Sequence, residues 1–193
     1  MSNKRAIFLD KDGTLIRDVP YNADPSKIEL LTGVADGLRL LDSLGYAFFV
    51  ITNQAGVAKG FFSEEALVDV EAKLQQLLGK SGVALSGFYY CPHHPEGAVQ
   101  AYTKRCDCRK PSPGLLLKAA ATYGINLGDS WMVGDILDDI EAGNRAGCKT
   151  MLIDGLGHER QKAHNGYRRP SYIADSFSEA TDWIVKNTEH GKI

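Results

Sequence analysis

The chain has 193 residues, enough to bury the core of one α/β domain with a small insertion and too few for a second full domain. Lys+Arg number 22 against Asp+Glu 24, a formal net charge of −2, which removes any global electrostatic reason to expect nucleic acid or an anionic membrane as partner; a small-molecule ligand is expected. No stretch approaches the ~20 apolar residues of a membrane helix and the apolar run before Asp10 is too short for a signal-peptide core, so the expectation is a soluble, cytoplasmic protein whose cysteines are free or metal-bound.

Apolar runs rich in β-branched or aromatic residues predict buried strands at 6–9, 47–51, 88–90, 131–133 and 150–153. Between them, Val34, Leu38 and Leu41 keep helical spacing. Ser63-Glu64-Glu65 supplies an N-cap and early acids to a second helix, which continues through Leu67, Val70, Leu74 and Leu78 and stops at Gly79 and Gly82. Ser112-Pro113 predicts an N-cap with proline at the first helical position, leading into 115–123, and 137–146 and 177–185 supply two more helices. Strand alternating with helix predicts a doubly wound parallel sheet with helices on both faces. Two stretches depart from this rhythm. Residues 16–32 hold Pro20, Asn22, Asp24 and Pro25 and read as a loop suited to face a substrate; residues 91–113 carry three of the four cysteines.

Asp10-Lys11-Asp12-Gly13-Thr14 places two carboxylates at positions i and i+2, on one side of the strand end. A phosphate monoester is a dianion, so an anionic nucleophile needs cations beside it. In this reading Asp10 attacks phosphorus to form an aspartyl-phosphate, and Asp12 protonates the departing alkoxide and then deprotonates the hydrolytic water. Thr52 offers a hydroxyl to the phosphoryl oxygens and Lys110 the positive charge. An isolated Asp-x-Asp-Gly is as readily a turn or a calcium-type loop. Here it is followed in order by Thr52-Asn53, Arg109-Lys110-Pro111, Gly134-Asp135 and Asp138-Asp139, although Asp138 alone is expected from the helix macrodipole. The set resembles the haloacid dehalogenase superfamily of phosphohydrolases, over most of the chain. The resemblance implies a single hydrolase domain spanning 1–193 and a catalytic Mg²⁺ held by Asp10, by the backbone carbonyl of Asp12 and by Asp135, with Asp139 orienting a water.

Cys91-Pro92-His93-His94-Pro95 and Cys106-Asp107-Cys108 are two tight pairs of soft or borderline ligands joined by a loop, and they suit a closed, tetrahedral Cys₃His zinc site that staples 91–113 and holds Arg109 and Lys110 in place. The bland alternative is four incidental residues of a loop, and spacing alone leaves open which histidine ligates. Within the superfamily, 90–95, 106–111 and Thr52-Asn53-Gln54-Ala55-Gly56 resemble the D-glycero-D-manno-heptose 1,7-bisphosphate 7-phosphatases. That resemblance selects His93 as the fourth zinc ligand and implies a Rossmann-like sheet without a large cap domain. It implies a place in heptose biosynthesis, and substrate contacts from Asp18, Val19, Pro20, Tyr21, Thr52, Asn53, Gln54, Ala55, Arg109 and Lys110. Histidinol-phosphate phosphatases share the zinc pattern, but the long 95–105 loop favours a sugar bisphosphate. Two departures stand out: Ile136 follows Gly134-Asp135 where lysine is common, and Val19-Pro20-Tyr21-Asn22 replaces the usual glycine-tyrosine form. A zinc-stabilised phosphate-binding module without catalysis is the alternative of another class, and it has no need of a paired nucleophile and acid. A monomer acting on a small phosphorylated sugar, with Mg²⁺ catalytic and Zn²⁺ structural, is the resulting expectation. Cys148 reads as a buried thiol, and His158, His164 and His190 as solvated surface. Arg160, Lys162, Arg168 and Arg169 read as a solvated basic stretch.

Overall fold

The structure, a computed structural model, describes residues 4–162 and 166–189; His164 and His190 lie outside them. The five apolar runs form β1 (Arg5–Leu9), β2 (Tyr46–Asn53), β3 (Gly87–Cys91), β4 (Trp131–Gly134) and β5 (Lys149–Ile153). A sixth strand, β6 (Tyr172–Ala174), joins them in one all-parallel sheet of order β3-β2-β1-β4-β5-β6. β6 was not predicted: it is three residues long and half-buried, and it is held by pairing with β5 and by Tyr172 stacking on Trp183 at 3.8 Å.

The alternation of side chains along the strands sorts the core into two layers. Ile7, Leu9, Phe48, Val50, Trp131 and Val133 pack on α1 (Val34–Ser43), α3 (Ala66–Gly79) and α6 (Phe177–Glu189). Ala6, Phe8, Phe49, Ile51 and Met132 face α4 (Gly114–Tyr123) and α5 (Leu137–Ala146). Each fully buried phenylalanine or leucine contributes about 1.5–3 kcal/mol, so these two interleaved sets hold the sheet between its helices. Among the described residues no second folded unit is inserted between strands, and no helix is long and apolar enough to cross a membrane.

Local starts differ from the sequence signals by a few residues. Ser63 opens a turn in which the Ala66 N–H donates to its carbonyl at 3.2 Å, while its side chain bonds Glu65 rather than a helix N–H; α3 therefore starts without a side-chain cap. Pro113 is the cap residue of α4, one position later than the predicted Ser112, and the Gly114 N–H is used by Asp107 O at 3.0 Å. A four-residue helix, α2 (Ala55–Ala58), directly after β2 was also unforeseen.

The sheet order places β1 between β2 and β4, so chain connections leave β1 toward opposite edges and the carboxyl ends of β1, β2 and β4 border a crevice, the usual ligand site of such sheets. Helix α5 can lie close to β4 and β5 because Gly143 has no side chain. A Cβ at that position would stand 2.6 Å from Met132 Cβ and 2.7 Å from Thr150 Cγ2. Gly143→Ala is expected to cost about 1–3 kcal/mol through overpacking, seen as a Tm lower by about 3–10 °C. An unchanged Tm in calorimetry would show that α5 shifts freely on the sheet.

Candidate active site and metal centre

Asp10 follows β1, and its N–H donates to Val133 O at 2.9 Å, fixing it between β1 and β4. Lys110 reaches it from the far end of the cysteine-rich loop. The Lys110 ammonium donates to Asp10 Oδ1 at 2.6 Å and to Ile51 O at 2.7 Å. It also forms an ion pair with Asp139 Oδ1 at 2.6 Å, off the axis of a hydrogen bond. Burial opposes the lysine charge, but Asp10 and Asp139 outweigh it and hold the ammonium well above the usual lysine range. Asp139 belongs to the first turn of α5 and accepts from the Ile136 N–H at 3.3 Å, and Glu159 accepts from the Leu137 N–H at 2.9 Å, so two acids cap this helix.

Three carboxylates, Asp10, Asp135 and Asp139, stand within 4.8 Å of one another around this single ammonium. Burial, then the charges of Asp10 and Asp139, push the Asp135 carboxyl up to about 8; burial drives Asp139 upward despite Lys110. An excess of hard oxygen donors that resists ionisation fits a divalent cation such as Mg²⁺. The Asp12 carboxylate is outside this cluster. Gly13 is required here: its φ is +78°, and a Cβ would meet Asp135 Oδ2 at 2.2 Å. Thr14 Oγ1 donates to Asp135 Oδ1 at 3.2 Å.

Asp12 is held between two donors. Buried Lys11 donates to its Oδ1 at 2.6 Å, and Gln54 Nε2 donates to its Oδ2 at 3.3 Å and to Thr52 Oγ1 at 2.9 Å. Burial raises the Asp12 pKa, Lys11 opposes the rise, and the Asp10 charge adds to it. Neither the Lys11 contact nor the Gln54 bridge was foreseen; a lysine between two acids was the only available signal for the first. Asn53 pairs with the Lys110 backbone in both directions, Nδ2 donating to Lys110 O at 3.1 Å and Oδ1 accepting from Lys110 N at 3.0 Å. This side-chain amide is thus committed to placing Lys110.

A cleft of about 190 Å³ is lined by Asp10, Asp12, Asp18, Thr52, Asn53, Lys110, Asp135 and Ile136. A second, of about 250 Å³, shares Asp12, Asp18 and Asn53 with it and extends past Pro20, Tyr21, Gln54 and Ala55 to Phe62. Of the expected substrate contacts, Val19 and Arg109 line neither; the Arg109 guanidinium donates to His93 O at 3.3 Å.

Cys91 ends β3 and meets His93, Cys106 and Cys108 across the loop. The sulfurs lie 3.1–3.5 Å apart, and His93 Nδ1 is 3.3 Å from Cys108 Sγ and 3.7 Å from Cys91 Sγ. Tetrahedral zinc with ~2.3 Å bonds separates its sulfur ligands by ~3.8 Å, whereas a disulfide would bring two of them to ~2.05 Å, so the cluster suits a metal and lies slightly inside the ideal spacing. Burial raises the Cys91 and Cys108 thiols, and against its own burial Cys106 is drawn down by hydrogen bonds from Cys108 and Cys91. His94 stands apart, accepting from the Glu96 N–H at 3.1 Å.

The basic stretch is solvent-exposed at Arg160, Lys162 and Arg169, as expected, but three of its cations are also paired with acids. Arg160 pairs with Asp154 and Asp175, Lys162 with Glu159 three residues before it, and Arg168 bridges Asp138 and Glu141 of α5 at 3.0 Å each. Cys148 is buried and His158 exposed, as expected.

A HAD-hydrolase-like family model matches residues 107–180. The chain is 38% identical over 176 residues to a D-glycero-beta-D-manno-heptose-1,7-bisphosphate 7-phosphatase of Pasteurella multocida, covering 91% of this chain and 94% of that one. A putative HAD-like phosphatase from Mesorhizobium loti has a TM-score of 0.84 at 30% identity, over 97% of this chain and 87% of its own. The D,D-heptose 1,7-bisphosphate phosphatase of B. bronchiseptica, solved with magnesium and phosphate, has a TM-score of 0.80 at 26% identity, over 95% and 99%.

Proposed function

The chain belongs to the heptose-1,7-bisphosphate 7-phosphatase family of haloacid-dehalogenase-like phosphatases, and from that membership we propose that it removes the 7-phosphate of D-glycero-D-manno-heptose 1,7-bisphosphate. The observation that carries the reading is the convergence of Asp10, Asp12, Thr52, Lys110 and Asp135 on one small cleft at the switch point of the sheet, with a second cleft leading away from it.

Asp10 attacks phosphorus; its carboxylate oxygen forms the new P–O bond as the bond to the sugar O7 breaks, giving an aspartyl-phosphate. Asp12, whose pKa burial raises, delivers a proton to the departing O7 and then takes one from the water that cleaves the intermediate. Thr52 and the backbone N–H groups beside it hold the phosphoryl oxygens, Gln54 orients both Thr52 and Asp12, and Lys110 offsets the charge that builds up in the transition state. Asp10, the Asp12 carbonyl and Asp135 would hold Mg²⁺, which when bound neutralises charge between nucleophile and phosphate. Cys91, His93, Cys106 and Cys108 would hold a structural Zn²⁺, keeping Arg109 and Lys110 in place. Asp18, Pro20, Tyr21 and Asn53–Ala55 border the sugar, with Arg109 behind them. All these groups come from one chain, so a monomer suffices, with 1–193 as one hydrolase domain. The cytoplasm, where thiols stay reduced for zinc, is the proposed compartment.

The test is a comparison of substrates. Phosphate release from the heptose 1,7-bisphosphate is expected with kcat/KM at least about tenfold above that for histidinol phosphate, because only the sugar fills both clefts. Equal efficiency, or a preference for histidinol phosphate, would move the chain to the other substrate.

A further inference from the structure

At the rim of the second cleft the Lys59 ammonium donates to Tyr21 Oη at 2.6 Å and lies 4.8 Å from the centre of the Tyr21 ring. Among the described residues it has no carboxylate partner, unlike Arg160, Lys162 and Arg168. A neutral phenol satisfies one of its three N–H donors and none of its charge. Tyr21 has φ +53°, a conformation uncommon for a residue with a side chain, and its 48% exposed ring rests on the 61% exposed ring of Phe61 at 4.7 Å. Two large aromatic faces and an uncompensated cation are therefore held open to solvent where the cleft ends.

Lys59 is also anchored from behind. The carbonyl of Ala58 accepts from the Ala98 and Val99 N–H groups at 2.7 and 2.9 Å, and a Cβ on Gly97 would stand 2.8 Å from that oxygen. The cysteine-rich loop thus clamps the residue before Lys59.

We infer that Lys59 is a specificity residue that binds the remote, uncleaved phosphate of a sugar bisphosphate, with Tyr21 as its partner. Phosphate oxygens replace the tyrosine hydroxyl as acceptors of the ammonium, and the hydroxyl donates its own proton to the same phosphate. The sugar then spans the second cleft while the scissile phosphate lies against Asp10. This rests on the 7-phosphatase reading for the identity of the sugar and only on the two joined clefts for the remote phosphate.

The experiment compares each bisphosphate with the monophosphate that lacks the remote group, starting with heptose 1,7-bisphosphate and heptose 7-phosphate. The readout is the ratio of their kcat/KM values in the wild type, Lys59→Gln and Lys59→Arg. Lys59→Gln is expected to lower the ratio about tenfold, chiefly through KM of the bisphosphate, and Lys59→Arg to restore most of it. A role confined to folding would lower both substrates together; an unchanged ratio in Lys59→Gln, or a wild type that does not distinguish the pair, overturns the inference. If the wild type leaves the heptose bisphosphate intact, the 7-phosphatase reading fails on its own. The same ratio, measured on whichever bisphosphate of a hexose and pentose panel is turned over, then decides for or against Lys59, and turnover of monophosphates alone decides against it.

Discussion

Asp10→Asn is expected to lower phosphate release by at least about a thousandfold without loss of the fold, because it exchanges the attacking carboxylate for an amide of the same shape that cannot form the aspartyl-phosphate. Stability should not suffer. Asp10, Asp135 and Asp139 crowd one buried ammonium, and the charge of Asp10 is among the causes that push Asp135 up to about 8. Removing one negative charge relieves that repulsion, while the amide oxygen still accepts from Lys110 and the Asp139 ion pair remains. Calorimetry without added metal should therefore give a Tm equal to or above the wild type, and Mg²⁺ should raise the Tm of the variant less than that of the wild type. Retention of more than a few per cent of the rate would rule out covalent catalysis at Asp10. A large fall in Tm would mean that the Lys110–Asp10 pair is first of all a structural element.

Replacing two zinc ligands together, Cys106→Ala with Cys108→Ala, is expected to lower zinc from one per chain to near zero by elemental analysis and to reduce activity by about a hundredfold or more. The reason is distance along the chain. Lys110 stands two residues beyond Cys108, its backbone is clasped by Asn53, and its buried ammonium is stabilised only where Asp10 and Asp139 wait for it. The loop between the ligand pairs has little apolar core of its own, and its Gly97–Val99 segment rests on Ala58. Without the metal, Lys110 loses its register and α2 its clamp. An unchanged zinc content would remove the structural-zinc proposal, and full activity in a zinc-free variant would show that Asn53 alone positions Lys110.

Much of the molecule was legible because its signals are local. Continuous apolar runs and helical spacing marked five strands and the larger helices, since burial of one face or both is written within a few neighbouring residues. The chemistry of the donor sets was legible in the same way: carboxylates at i and i+2, and cysteines at 106 and 108, are close before any tertiary structure forms. The doubly wound class followed from alternation, and the crevice beyond the strand ends followed from the class.

What the sequence by itself determined was thus the fold class, the residue types of the site and the kind of chemistry they can carry. Their pairing was decided only in three dimensions. That Asn53 serves Lys110, that Gln54 ties Asp12 to Thr52, that Lys59 meets Tyr21, and that Arg168 pairs with Asp138 and Glu141 are contacts set by the order β3-β2-β1-β4-β5-β6 and by the packing of loops on it. The partners of Asn53 and Lys59 stand 57 and 38 residues away. A polar side chain carries no local mark of which distant group will satisfy it, because that choice is made when burial removes water and leaves each donor to the acceptor the packed backbone brings within reach.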